Sequence, residues 1–190
     1  ENRQTTVWKT GKTLTTAQYW LVTIPMGALL MCSVGMMTQT QTIIGAYEGL
    51  EFGAVMGMVM IFALIGSFVL GLIDGKFGTK TAILVSVIVM LISGILGGLG
   101  NTGTAMVSII LLAIFMGAGS NFTVSAAAQY WRREDFSSVF AVVNPIANVI
   151  QSLGPIMVAM TIGIGMGKGM GVTLPFWVTA VIAAISLVLI

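Results

Sequence analysis

Long uncharged runs, separated by short charged stretches, dominate the pattern of this sequence. In chain order the uncharged runs hold 35, 22, 51, 32 and 22 residues. A helix needs about 20 predominantly apolar residues to cross a bilayer, so every run is long enough for at least one crossing. The runs cover residues 13–47, 52–73, 81–131, 136–167 and 169–190.

The 51-residue run is too long for one crossing and breaks at GGLGNTGT, Gly97–Thr104, which is rich in turn-forming residues. The pattern therefore predicts an all-α membrane protein with six transmembrane helices. Helices are favoured because the runs lack the alternation of a membrane β-barrel and an open sheet would leave unpaired backbone groups in lipid. Residues 1–16 are predicted to form a cytoplasmic linker, and residues 17–190 the bundle. The predicted helices cover residues 17–44, 51–73, 79–99, 103–130, 137–162 and 172–190.

Basic residues are distributed unevenly between the two sides of this six-helix serpentine. Seven fall on one side and only Lys168 falls on the other. By the positive-inside rule the side with seven is cytoplasmic, which puts both chain ends in the cytoplasm. We expect an integral protein of the bacterial plasma (inner) membrane. The seven are Arg3, Lys9, Lys12, Lys76, Lys80, Arg132 and Arg133.

Composition supports a membrane protein and excludes several other classes. The chain is 57% hydrophobic and 7% charged, whereas a soluble domain carries about 25% charged residues. A net charge of +2 is too small for a nucleic-acid-binding surface. With no His, one Cys and no buried pair of acids, the chain lacks the groups of a membrane-embedded enzyme. No enzyme activity, metal or cofactor is predicted.

Three charges and three glycines are concentrated in GLIDGKFGTKTA, Gly71–Ala82. Small residues suit a tight turn between antiparallel helices, and we expect the glycines to supply it. Asp74 is close enough to pair with the lysines or to cap the next helix. An ordinary positive-inside turn explains the stretch equally well. The glycines are Gly71, Gly75 and Gly78, and the lysines are Lys76 and Lys80.

The same stretch resembles the G-x-L-A-D-R-x-G-R-K pattern of the major facilitator superfamily of transporters. That pattern lies in the cytoplasmic loop between the second and third helices of each six-helix half. The acid is displaced, because Asp74 stands where a small residue is expected and Gly75 stands at the acid position. Matching positions are Gly71, Ile73, Lys76, Gly78 and Lys80.

Two further stretches resemble the same superfamily. Ala127–Pro155 is similar to its join between the tenth and eleventh helices, and LTTAQYWLV, Leu14–Val22, to the approach to its seventh helix. The second similarity indicates the oxalate/formate antiporter-like or monocarboxylate-transporter-like branch. The resemblance implies the C-terminal half of a twelve-helix fold. The sixth predicted helix runs to Ile190 without a polar flank, so we also expect a longer native chain.

The resemblance further implies a mechanism and a set of partners. A secondary transporter would move a small solute by alternating access, as antiport or symport, with the first, second, fourth and fifth helices lining the cavity. The partners would be the lipid bilayer, the solute, and either the N-terminal six-helix half or a second copy. The expected gating residues are Gly71, Asp74, Lys76, Gly78, Lys80, Arg132 and Arg133.

Polar side chains within predicted spans are the candidates for binding that solute, because such groups need a partner in lipid. Asn144, Asn148 and Gln151 lie within roughly 60° of one another on the fifth helix, at 100° per residue. Their amides could bind a substrate or could join neighbouring helices. Pro145 and Pro155 are expected to kink this helix.

Weaker candidates lie on other helices. Asn121 belongs to a stripe of small residues on the fourth helix that also suits helix packing. Gln39 and Gln41 lie near the outer end of the first helix, where water can reach them. Two pairs of glycines spaced by four residues are interpreted as packing sites. They are Gly94 with Gly98 and Gly163 with Gly167.

Charge placement bears on the substrate. The chain has no charged residue deep in a predicted span, although carboxylate exchangers of the resembled branch use basic residues there. The substrate could be an organic anion or another small metabolite. The lack of basic residues deep in the predicted spans argues against a carboxylate. The alternative is a half-size membrane protein that homodimerises into a transporter or channel.

Overall fold

The computed structural model describes residues 17–130 and 135–189, and these residues form helices without any strand. The predicted linker, residues 1–16, lies outside the described part, as do Arg132 and Arg133. A 3₁₀ turn at Gly171–Thr173 precedes the last helix. The α-helices are α1 (Ala17–Thr38), α2 (Thr40–Ile44), α3 (Phe52–Phe77), α4 (Thr79–Gly98), α5 (Thr102–Tyr130), α6 (Phe136–Ser152), α7 (Gly154–Gly167) and α8 (Leu174–Leu189).

Five stretches of the described residues are long and apolar enough to cross a membrane. A sixth apolar stretch, Thr23–Thr38 in α1, is shorter. Because lipid offers no hydrogen bonds, a crossing segment must satisfy its backbone internally, as these helices do. The chain is therefore an α-helical membrane protein in the part that the structure describes. The five stretches are Phe52–Phe77, Thr79–Gly98, Thr102–Gly119, Phe136–Gly167 and Gly171–Leu189.

The junction between α3 and α4 is shorter than the sequence indicated. Helix α3 continues to Phe77, so Gly71 and Gly75 are helical and the prediction that they form the turn is wrong. Only Gly78 turns the chain, with a φ of 87° that favours glycine. Glycine costs a helix about 1 kcal/mol, but ending the helix earlier would expose more unpaired backbone in lipid.

Two of the predicted helices are interrupted. The first breaks at Gln39, between α1 and α2, and the fifth breaks at Leu153, between α6 and α7. Pro155 explains the second break, because proline cannot donate to the carbonyl four residues before it. Pro145 lies inside α6, which continues through it. Of the two prolines expected to kink this segment, only Pro155 coincides with a break.

The buried core lies where α1, α4, α5 and α8 pack together. Its largest fully buried side chains include Phe115 and Phe122 on α5, Phe176 on α8 and Met90 on α4. Helices α3 and α6–α7 lie at the periphery. Helix α3 packs mainly on α5, and α6–α7 packs mainly on α1.

Most of the extensive helix contacts have a counterpart when three helical segments are exchanged with three others, although the α8–α1 contact is smaller than the α4–α5 contact and the α5–α6 contact has no comparable counterpart. This exchange replaces α1 by α5, α3 by α6–α7, and α4 by α8. The α3–α5 contact then becomes the contact of α6–α7 with α1, and the α4–α5 contact becomes the α8–α1 contact. The extensive α4–α8 contact is its own counterpart.

Glycines make the two outer contacts unusually close. A Cβ on Gly66 of α3 would collide with the Ile114 carbonyl of α5, and one on Gly117 of α5 would collide with the Ala63 carbonyl of α3. Glycines also bring α1 and α7 into close contact. A Cβ on Gly35 would collide with the Gly154 carbonyl, and one on Gly154 with the carbonyl of Met31. Small residues allow such approach of backbones in membranes.

The α4–α8 contact confirms one of the two glycine pairs predicted to pack. A Cβ on Gly94 would lie 2.6 Å from the Ala180 nitrogen, and one on Gly98 would lie 2.6 Å from the Trp177 ring. Trp177 Nε1 also donates to the Gly98 carbonyl at 3.1 Å. Gly163 and Gly167 differ, since no described atom lies within 4 Å of a Cβ on either. The packing interpretation is wrong for that pair within the described bundle.

A reciprocal serine pair joins α4 to α5 in the core. The Ser93 hydroxyl donates to the Ser108 carbonyl at 2.9 Å, and the Ser108 hydroxyl donates to the Ser93 carbonyl at 2.7 Å. Both side chains are fully buried. Under the exchange of segments, the corresponding helices α8 and α1 carry the buried Thr179 and Cys32, and the Thr179 hydroxyl donates within its own helix, to the Pro175 carbonyl at 2.9 Å.

Candidate functional site

The amide stripe, defined as Asn144, Asn148 and Gln151, lies along one flank of α6. Asn148 is exposed, and Asn144 and Gln151 are half-buried. The stripe is turned roughly 100° from the face that packs on the bundle, at 100° per residue. The stripe is therefore offset from the face that makes the main helix–helix contact, and Asn148 is its exposed member. The buried face consists of Val139, Val143 and Ala147.

The stripe ends at the centre of its membrane-spanning segment. The continuous apolar stretch Phe136–Gly167 has 32 residues, so its midpoint falls beside Gln151. The break at Leu153 follows immediately, and Pro155 leaves the Gln151 carbonyl without its usual helical donor. Amide side chains and a break in the helix are thus concentrated near the middle of this apolar segment.

None of the stripe amides makes a hydrogen bond with another described residue. The alternative that these amides join neighbouring helices therefore has no support in the described part. An unpaired amide in an apolar medium costs several kcal/mol, on the order of 2–7 kcal/mol depending on the reference state. Such side chains need water, a ligand or another protein surface as a partner in the membrane.

Asn121 on α5 is exposed and lies at about the depth of Gln151. Contacts with α1 show this shared depth, because neighbouring residues of α1 meet both helices. A Cβ on Gly119 of α5 would lie 2.9 Å from Leu30 of α1, and a Cβ on Gly27 of α1 would lie 3.1 Å from Ile150 of α6. Helices α5 and α6 also contact each other directly. The structure therefore brings Asn121 and the amide stripe to one level on adjacent helices.

Gln39 and Gln41 do not join this group. Gln39 lies at the break between α1 and α2, where its Oε1 accepts from the Thr42 hydroxyl at 3.4 Å, and Gln41 is exposed. Met31, which lies against Gly154, precedes Gln39 by eight residues, or about 12 Å along a helix. These glutamines belong to one end of the bundle and not to its centre.

Asp74 makes a bond that sequence reasoning missed. Its Oδ1 accepts from the Thr79 hydroxyl at 2.6 Å, which ties the last turn of α3 to the first residue of α4 across Gly78. No ion pair within 4 Å joins Asp74 to either Lys76 or Lys80 in the described structure. No side chain caps α4, so Asp74 neither caps that helix nor pairs with the lysines, and its bond with Thr79 takes the place of both expected interactions.

Both lysines at this junction are exposed. Lys76 Nζ lies 5.4 Å from the ring centre of Phe77, a cation–π arrangement. Lys80 is in the first turn of α4. Gly71 lies one and a half turns earlier on the outer surface of α3, where no atom is within 4 Å of a Cβ. The predicted gating residues of this stretch thus share one end of α3.

The second group of predicted gating residues, Arg132 and Arg133, lies outside the described residues. Beside it, Asp135 precedes α6 and is only 4% exposed. Its sequence context, a run of charges before a helix, is typical of a hydrated surface and gave no signal of this burial.

Comparison with known proteins assigns no family. No protein-family model matches the chain, and no curated protein matches it.

Proposed function

We propose that this chain is a six-helix half, the C-terminal one, of a secondary transporter of the major facilitator type. It would move a small solute by alternating access together with a second six-helix bundle. The amide stripe and Asn121 would contribute hydrogen bonds to the solute. The junction of α3 and α4 would control the exchange between conformations.

The exchange of helix contacts is the observation that carries this proposal. Many secondary transporters contain inverted repeats, and in the major facilitator type three helices repeat within each six-helix half. An internal repeat of three segments is expected to produce paired contacts of this kind. The two close glycine contacts, Gly66 with Ile114 and Gly154 with Met31, are counterparts under the exchange.

The position of the amides supports a solute site. Transporters bind their substrates near the bilayer midplane, at discontinuous helices whose free backbone groups take part. The break between α6 and α7 is such a discontinuity, and Gln151 adjoins it. Unpaired polar groups at this depth are costly, so a role in binding gives a reason for their presence.

The open faces of the bundle leave room for a second bundle. Large apolar side chains on α6–α7 are more than half exposed, among them Val149, Ile156 and Met160. Either a fused N-terminal half or a second copy could cover part of these faces. The intact mass of the native protein separates these two arrangements, because a single 190-residue bundle has a mass of 19.9 kDa.

The first experiment tests the amides. The complete native protein would be purified and screened against neutral and charged solutes by thermal shift, because a ligand that binds only the folded state raises the unfolding temperature. For a solute that binds, Asn148→Leu and Gln151→Leu are each expected to weaken binding roughly tenfold, the effect of losing one hydrogen bond.

Thr161→Val is the matched control for this experiment. Thr161 lies in the same segment, and its hydroxyl donates only within its own helix, to Met157 and Val158. Its substitution should leave binding unchanged. Equal affinities of the wild type and both amide variants would contradict the assignment of the stripe.

The second experiment tests the junction. Asp74→Asn removes a charge but retains an oxygen that can accept from Thr79, so the fold should persist. In proteoliposomes loaded with the solute found above, this variant is expected to slow transport severalfold while binding changes less than twofold. Equal loss of transport and of binding would count against a gating role for Asp74.

A further inference from the structure

A groove on the outer surface of α3 is the feature of interest. It has a volume of about 390 Å³ and is lined by Leu64, Ser67, Phe68, Gly71 and Leu72. Leu64 and Phe68 are 75% and 69% exposed. The floor is low because Gly71 has no side chain and no atom lies within 4 Å of its Cβ position. The groove is therefore a notch between large apolar side chains.

The groove extends over one half of the bilayer. Helix α3 has 26 residues, so Leu64 lies at its centre. From Leu64 to Lys76 there are twelve residues, or about 18 Å along a helix. One leaflet of the hydrocarbon core is about 15 Å thick, half of the core thickness. The groove thus begins near the midplane, and Lys76 lies at the level of the lipid headgroups.

Lysine charges outnumber acidic charges at this end of the groove among the described residues. Lys76 and Lys80 are both exposed, and neither forms an ion pair with Asp74, whose carboxylate is engaged by Thr79. The opposite end of α3 is preceded by Glu48 and Glu51, which are exposed and would repel an anion. Charge and apolar shape therefore select the same leaflet.

We propose that this groove binds an anionic phospholipid of the leaflet on the lysine side. One acyl chain lies along Leu64, Phe68 and Leu72, over Gly71. The phosphate headgroup lies at the end of α3, where the exposed Lys76 and Lys80 side chains can reach it. A transmembrane helix of a partner would cover both halves of α3, whereas the groove and the lysines match the length and charge of one lipid.

The test measures retained lipid on the complete native protein. The protein would be equilibrated with phosphatidylglycerol and phosphatidylcholine at equal mole fractions, and bound lipid would be counted by native mass spectrometry. Each basic residue near an anionic surface contributes about 1 kcal/mol. Two lysines therefore predict roughly a tenfold to thirtyfold preference for phosphatidylglycerol.

The headgroup part of the site is tested with lysine variants. Lys76→Gln combined with Lys80→Gln should reduce the preference to less than about threefold. Lys168→Gln is the matched control, because Lys168 is an exposed lysine that lies beyond α7. It should leave the preference unchanged. A similar reduction in Lys168→Gln would overturn the proposal, since the preference would then reflect overall charge alone.

The groove itself is tested with glycine variants. Gly71→Leu should displace most of the phosphatidylglycerol because its side chain fills the notch. Gly163→Leu is the control, because Gly163 also has no atom within 4 Å of its Cβ position. Equal retention of lipid by both variants would overturn the proposal. Disulfide cross-linking of Phe68→Cys to a second copy would do so as well, because protein would then occupy the groove.

Discussion

The α3–α5 contact and the α1–α7 contact use the same packing device in two different settings. In both, glycine brings one helix backbone against another at the centre of the bundle. At the α3–α5 contact both helices are continuous. At the α1–α7 contact the glycine is Gly154, one residue after the break, with the amide stripe ending just before it. The comparison shows that a close backbone contact can form directly beside a helix break and a row of polar side chains.

The close contact and the amide stripe can be adjacent because they use different groups of the same segment. Helix contacts through glycine depend on the absence of a side chain and require no polar partner. The amides of α6 lie on a different flank of the same segment, so the close contact near Gly154 holds the segment while its polar flank stays open. A segment anchored in this way can present binding groups at a fixed depth.

The largest expected effect comes from filling the two contacts. Gly66→Ala and Gly154→Ala should each lower the free energy of unfolding by about 2–3 kcal/mol, because the new methyl group meets a backbone carbonyl that cannot move aside. Unfolding in mixed detergent micelles would measure both. If the contacts are equivalent, the two losses should agree within about 1 kcal/mol.

Gly57→Ala is the control for this pair. No atom lies within 4 Å of its Cβ position, although it is on the same helix as Gly66. It should raise stability by about 0.5–1 kcal/mol, the helical advantage of alanine over glycine. A large loss in Gly154→Ala with none in Gly66→Ala would show that only the broken segment depends on close contact.

A smaller effect is expected from repairing the break. Pro155→Ala restores the donor for the Gln151 carbonyl, so it should raise stability by about 1 kcal/mol, the net worth of one hydrogen bond. It should also reduce solute transport severalfold, because the break at Leu153 would then be lost from the segment that carries the amide stripe. Pro145→Ala, in the same segment but away from the break, should reduce transport less. An equal effect of both variants would indicate that the break has no special role.

The smallest expected effect concerns the hydrogen bonds of the serine pair that joins α4 to α5. Ser93→Ala should cost about 0.6 kcal/mol, the average measured for hydrogen bonds between membrane helices. Ser86→Ala, in the same helix, is the control because the Ser86 hydroxyl donates only to Ile83 of that helix. If Ser93→Ala costs no more than Ser86→Ala, the serine pair does not stabilise the packing of α4 on α5.

Much of the fold could be predicted because its causes are local in sequence. The uncharged runs gave the helices, and the turn-rich stretch gave the break before α5, where Gly103 donates to Asn101 Oδ1 at 2.9 Å. Pro155 gave the break in the fifth predicted helix. The length of α3 was underestimated because glycines that end helices in water can remain helical in lipid.

The candidate site was predictable only in part. The amide pattern identified Asn144, Asn148 and Gln151 as one stripe, and the helix confirms that they share a flank. Whether they join other helices depended on neighbours far away in the sequence, which the pattern could not show. The bond of Asp74 with Thr79 was missed because it depends on the single turn made by Gly78.

The sequence by itself determined that this protein is helical and lies in a membrane, because hydrophobic runs record which solvent each segment meets. It also determined where one of those helices must break. Only the tertiary structure decided which glycines are contacts and which are open, since Gly94 and Gly163 are alike in sequence but only Gly94 meets a neighbour. Lateral pairing of helices depends on complementary shape between distant segments, and no local pattern contains that information.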